Sequence, residues 1–272
     1  MIAALLGLVV GLVLGLTGAG GSVLAVPLLI AGLGWPITLA ATVALLAVAA
    51  SATLGTTLAW GHSYLRYRAA LLMAFSGACT SPLGLRVADH LPVGILGGCF
   101  AAVLVVVAAR MYRSSRQADA GVVRASVAGD GAPAQGHLCA LDPGTGRLLW
   151  TARTWGVMAA IGAVTGLLSG LLGVGGGFVI VPALRGTTPL SMHSAVATSL
   201  MTIALTSIST LIWAEILGRS LPWGTALPFI AGALAGMFGG RLLAPRIAGP
   251  ALQRGFSVTT LLAAGFMALH SL

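Results

Sequence analysis

The chain has 272 residues, of which 58% are hydrophobic and 7% charged. A soluble globular domain carries about 25% charged residues, so a water-soluble fold with a polar surface is excluded. The net charge of +9 comes from arginine alone, with no lysine. The arginines stand between apolar stretches and form no basic run interleaved with aromatics, which argues for membrane topology and against a nucleic-acid partner.

The first apolar stretch covers 1–34, and no basic run precedes it, so it reads as a retained membrane segment rather than a cleaved signal. Midway it carries Gly18-Ala-Gly-Gly21, followed by Pro27. Glycine clusters break helices and free backbone N–H groups. In lipid those groups need partners, and the ends of half-helices suit an anion. Further apolar stretches follow at 37–62, 69–88 and 92–112. A membrane helix needs roughly 20 apolar residues. These stretches contain the hydroxyls Thr42, Ser51, Thr53, Thr56 and Thr57, the cysteines Cys79 and Cys99, and Arg86 near a segment end.

From Ser114 to Trp150 the chain is polar and rich in Gly and Arg, and it holds three of the five acids, Asp119, Asp130 and Asp142. It reads as a linker. Within it, Asp142-Pro-Gly-Thr-Gly146 separates two short apolar runs, His137-Leu-Cys-Ala-Leu141 and Arg147-Leu-Leu-Trp-Thr151, which predicts a β-hairpin. The third cysteine, Cys139, lies here. Three cysteines without paired spacing give neither a disulfide framework nor a metal pattern.

The second half repeats the plan at 155–185, 192–217, 222–244 and 249–271. Gly173-Val-Gly-Gly-Gly177 precedes Pro182 as Gly18–Gly21 precedes Pro27. Residues 15–27 and 170–182 align at an offset of 155, with seven of thirteen positions identical. The same offset pairs Gly77 with Gly232, Gly84 with Gly239 and Arg86 with Arg241, and an offset of 156 pairs Leu96 with Leu252 and Phe100 with Phe256. The expected fold is therefore an all-α polytopic membrane protein of two homologous four-segment repeats with Gly-broken helices. Its parts are a first repeat at 1–112, a cytoplasmic linker with a β-hairpin at 113–154, and a second repeat at 155–272. Duplicated halves are typical of secondary transporters, whose solute sites form where the halves meet.

Arginine sets the orientation. Arg110, Arg113, Arg116, Arg124, Arg147 and Arg153 place the linker in the cytoplasm, and Arg66 and Arg68, two spans earlier, share that side. The glycine segments leave a fork. If each crosses fully, the halves run the same way and Arg241, Arg246 and Arg254 lie outside. If each enters and returns, the halves are inverted, that cluster lies inside and Arg219 outside. Charge favours inversion.

The glycine clusters are the candidate solute site: Gly18, Gly20 and Gly21 in the first half, and Gly173, Gly175, Gly176 and Gly177 in the second. Small-residue packing is the competing reading for any single glycine, but two clusters in corresponding places favour a site. The hydroxyls of the second half are Thr198, Ser199, Thr202, Thr206, Ser207, Ser209 and Thr210. Most are expected to bond back to their own helix. Arg86 and Arg241 are expected to snorkel to the interface, with contact to an anion as the minority role. Glu215 is the sole acid inside an apolar stretch and the candidate for proton coupling, although its place three residues before Gly218 suggests a solvated end. His62 and His193 lie near segment ends. No enzyme constellation, P-loop or G-x-G-x-x-G is present, so neither catalysis nor a cofactor is expected.

Residues 166–182, Gly-Leu-Leu-Ser-Gly-Leu-Leu-Gly-Val-Gly-Gly-Gly-Phe-Val-Ile-Val-Pro, with Ala197-Thr-Ser-Leu200 and Gly232 to Arg241, resemble the TauE/SafE family of membrane transporters. The weaker copy at 11–27, Arg86, and Leu141 to Thr151 fit the resemblance, which spans nearly the whole chain. It implies transport, often export, of sulfite or small organosulfur anions such as sulfonates across a bacterial-type inner membrane. It also singles out Thr198 and Ser199 among the hydroxyls. The expected partners are a small anionic solute, the lipid bilayer and at most further copies of the chain in a homo-oligomer. The first half departs from the pattern. Ser22 stands where the second half has Gly177, and Val43-Ala-Leu45 where it has Thr198-Ser-Leu200.

Overall fold

The computed structural model describes residues 2–18, 21–60, 66–92, 94–106, 108–109, 149–188, 190, 192–218, 223–243, 261 and 265. Every regular element among them is a helix. The expected β-hairpin falls outside this set except for residues 149–151, which lead into a helix. There Thr151 is the N-cap, its hydroxyl accepting from the Thr154 N–H at 3.3 Å.

The helices are α1 Ile2–Thr17, α2 Gly21–Leu33, α3 Ile37–Ala59, α4 Tyr67–His90, α5 Gly94–Val106, α6 Ala152–Leu172, α7 Gly177–Thr187, α8 Met192–Ile216 and α9 Trp223–Leu243. Five of them, α3, α4, α6, α8 and α9, are long and apolar enough to cross a membrane. The other four are apolar but short, and α1 and α2 have only 16 and 13 residues. A span needs roughly 20, and neither reaches that length. They pack as an antiparallel hairpin. Gly21 packs on Val10 and Leu14, and Gly32 on Leu6, so the contacts descend α1 as α2 proceeds. α6 and α7 form the second broken pair, with Gly176 against Thr165.

Two close helix pairs hold these hairpins. Gly7, Gly11 and Gly15 of α1 lie on the backbone of Phe229, Ala233 and Met237 of α9. Gly162, Gly166 and Gly170 of α6 lie on Met73, Gly77 and Ser81 of α4. Contacts on both members ascend together, so each pair is parallel. Small residues every fourth position form one stripe, and lipid-embedded helices associate through such stripes by close backbone approach. A Cβ at Gly11 would meet the Ala233 carbonyl, so no larger residue fits there.

α3 and α8 are the most enclosed spans and run antiparallel through the centre. Gly55 meets Leu200, while Val48 meets the same tip residue as Ile203 and Ser207. Around them pack Leu14, Met73, Met158, Ile180, Leu184 and Met237, all fully buried. Phe75, Leu83, Val106, Ile212, Leu227 and Phe238 point outward. Such a surface suits hydrocarbon rather than water.

The two ends of the bundle differ. Trp60, Tyr67 and Trp155 are exposed at one end and Trp213 and Trp223 at the other, matching the aromatic belts of a bilayer. Among the described residues, Arg66, Arg68, Arg153, Arg185 and Arg241 share the first end. Arg86, Asp89 and Glu215 lie at the second.

Candidate functional site

Each hairpin turns on glycine in the same way. α1 ends at Gly18 (φ 74°), whose N–H donates to the Leu14 carbonyl at 2.8 Å. α6 ends at Gly173 (φ 68°), whose N–H donates to Ser169 at 2.9 Å. A left-handed residue after the last turn favours glycine, because a Cβ would strike the backbone. The second turn continues through Gly175 (φ 71°) and Gly176 (φ 64°) into α7, which has no side-chain cap. The first amides of α7 therefore face the turn unclaimed by a capping side chain. Gly20 lies outside the described residues, and Gly21 and Gly177 are the buried first residues of α2 and α7.

The first tip rests on the start of α8. Ser199 donates its hydroxyl to the Gly18 carbonyl at 3.1 Å and to Val196 at 2.8 Å. Gly18 itself packs against Val196. Thr198 accepts the Arg66 N–H at 3.2 Å, tying the start of α4 to the same place. Both side chains are fully buried. They act as struts between elements distant in sequence.

The second tip rests on both central helices. Gly173 packs on Ala41 of α3. Gly175 sits between Val48 of α3 and Ile203 and Ser207 of α8. On α8 the two tips thus touch positions 196 and 207, about 16 Å apart along the axis. Ala44 stands where the second half has Ser199, so the hydroxyl strut of the first tip has no counterpart at the second.

Most hydroxyls bond back to their own helix, as their sequence context predicts. Thr202, Thr206 and Thr210 donate to Thr198, Thr202 and Thr206 at 2.9, 2.8 and 2.7 Å. Thr42, Thr53 and Thr56 do the same on α3. Among the described residues, Ser51 and Ser207 are the two buried hydroxyls without a hydrogen-bond partner. Sequence reasoning favoured Thr198 and Ser199 over these two. No motif marks an unpaired hydroxyl, which emerges only once neighbouring helices are in place.

A cavity of about 50 Å³ lies under the second tip. Thr38, Thr42, Asp89, Ser169 and Gly173 line it among apolar residues of α3, α5 and α8. It lies on the side of Arg86 and Glu215. The space suffices for water.

Arg241 is half-buried between α9 and α3, and its Nη2 donates to the Gly55 carbonyl at 3.3 Å. Gly15 packs on its backbone, so the Arg241 backbone stands about one turn from the first tip. Arg86 is exposed at the far end of α4 and Glu215 at the far end of α8. The fold therefore gathers Gly18, Gly21, Thr198, Ser199 and Arg241 on one side. It gathers Gly173, Gly175, Gly176 and Gly177 on the other, and leaves Arg86 and Glu215 apart.

Comparison with known proteins identifies the family. The family model described as "Sulfite exporter TauE/SafE" matches residues 3–267. A "Probable membrane transporter protein" of Xylella fastidiosa strain 9a5c is 32% identical over 244 residues, covering 87% of this chain and 82% of that protein. Its namesake in strain Temecula1 is 30% identical over 243 residues, covering 88% and 82%. No solved structure matches significantly. The chain belongs to the TauE/SafE family of membrane transporters.

Proposed function

We propose that this protein is a secondary transporter that exports a small anion, of the sulfite or organosulfonate class, across a bacterial inner membrane. The observation that carries the reading is the pair of glycine turns that end helix hairpins inside the bundle. Each leaves the N-terminus of a short helix pointing into the protein, where the amides and the helix dipole favour negative charge. Gly18, Gly20 and Gly21 serve one turn, and Gly173 to Gly177 the other.

The halves 1–112 and 155–272 act as an inverted repeat. The parallel pairs support this. The α1 stripe Gly7, Gly11, Gly15 and the α6 stripe Gly162, Gly166, Gly170 are 155 apart, and their partner positions on α9 and α4 are 156 apart. The tip contacts Gly18–Val196 and Gly173–Ala41 are reciprocal at the same offset of 155. The arginine-rich end faces the cytoplasm, with the linker, in keeping with the positive-inside rule. That end attracts anions, whereas at the other end Asp89 and Glu215 offset Arg86, which supports capture from inside.

Purified protein in vesicles is expected to give saturable flux of sulfite or simple sulfonates. Absence of flux for the whole anion panel overturns the substrate class. Single cysteines placed beside Arg246 and Arg219 are expected to label from the cytoplasmic and the outer face respectively. The opposite result overturns the inverted arrangement.

A further inference from the structure

The hydroxyls of Ser51 and Ser207 are set apart among the described residues by being buried and unpartnered at once. Ser207 is fully buried and Ser51 nearly so, at 0% and 1% exposure, and neither Oγ has a partner. Buried polar groups without partners are rare and costly, and one explanation is a ligand or water that completes them. Thr53, Thr56, Thr206 and Thr210 on the same helices satisfy themselves on the preceding turn, so local chemistry does not force this state.

Their placement is specific. The Ser207 Oγ lies 2.6 Å from where a Cβ on Gly175 would be, so it is aimed at the left-handed turn that opens α7. Val48, across the same turn on α3, lies 3.0 Å from that point. Ser51 is three residues beyond Val48, and Gly55, four further on, meets Leu200. Positions i, i+3 and i+7 share one helix face, so Ser51 lies on the face of α3 that meets α8. The two serines are thus one on each central helix, Ser207 beside the uncapped start of α7 and Ser51 about one turn further along α3 than Val48. At the offset of 155 that relates α3 to α8, Ser51 pairs with Thr206 and Ser207 with Ala52, so the two serines are not equivalent positions.

We propose that Ser51 and Ser207 are solute-contacting residues, each donating its hydroxyl hydrogen to an oxygen of the passing anion beside the turn amides. This rests on the anion-transport reading. A hydroxyl can donate to an anion without placing a fixed charge in the membrane, so the solute is held and then released. The Thr198 and Ser199 hydroxyls are already engaged in joining helices.

The test uses the full chain in vesicles, in a background with Cys79, Cys99 and Cys139 changed to Ala. Ser51→Cys and Ser207→Cys are treated with a thiosulfonate reagent that bears a sulfonate group. Both are expected to react, and sulfite is expected to slow the reaction. Thr53→Cys, exposed on the outer face of α3, is the control and is expected to show no sulfite protection. In parallel, Ser51→Ala and Ser207→Ala are each expected to raise the KM for sulfite flux about tenfold with unchanged or higher melting temperature. Failure of both cysteines to react overturns the proposal, whatever the flux. Reaction with normal flux in both alanine variants overturns the contact role. A loss of melting temperature with unaltered KM assigns the serines to packing and also overturns it. Reactive cysteines in a protein that moves neither sulfite nor sulfonates overturn the substrate class while leaving the two serines on the path.

Discussion

Replacing Gly175 with valine is expected to abolish flux while leaving a folded protein. At φ 71° a side chain is strained whatever the space, and here the new Cβ meets Ser207 and Val48. The left-handed backbone costs roughly 1–2 kcal/mol, and crowding a packed site costs about 1–3 kcal/mol more. The turn relaxes by shifting, and the first amides of α7 move with it. A displacement of binding groups by about an ångström costs on the order of a hundredfold in rate. Initial flux and melting temperature, measured on the same preparation, check this. Normal flux in Gly175→Val removes the turn from the transport path.

The second large effect falls on stability. Gly166→Leu places a side chain onto the backbone of Gly77, where no rotamer change gives room. The only relief is separation of α6 from α4, which opens the face holding the second hairpin. The expected cost is about 4 kcal/mol or more, at the upper end of single substitutions. For a chain of this size that lowers the melting temperature by roughly 10 °C or more. Gly239→Leu is the comparison, because nothing lies within 4 Å of a Cβ there. It is expected to be neutral. Equal behaviour of the two variants contradicts the glycine-stripe packing described for α4 and α6.

Much of this architecture is legible in the sequence. Low charge and long apolar stretches fix the membrane class, and glycine clusters beside Pro27 and Pro182 mark both helix breaks, since lipid leaves a broken helix few alternatives. The choice between a crossing and a returning segment was open from length alone, as 31–34 residues serve either. Contacts between Gly21 and Leu14 and between Gly32 and Leu6 pack α2 back along α1 in the first half. The fate of individual polar groups was less legible. Thr198 and Ser199 stand in a motif, yet their hydroxyls join α8 to α4 and to the first tip. Ser51 and Ser207 look like their neighbours in one dimension. Hydrogen-bond satisfaction depends on the helix opposite, and no local pattern encodes that. Arg86 and Arg241 pair at the sequence offset of 155, but the packed positions of α4 and α9 are 156 apart, so the two are one residue out of register, one exposed and the other packed on α3.

The parallel pairing of α1 with α9 has a bearing on biogenesis. The first hairpin leaves the ribosome with its glycine stripe bare, and its mate begins only at residue 223. At about 5–20 residues per second, roughly 190 intervening residues take on the order of 10–40 s to synthesise. For that interval the N-terminal hairpin sits in the membrane without the surface it was shaped for. The two halves therefore reach their final form together, and neither is a free-standing assembly unit.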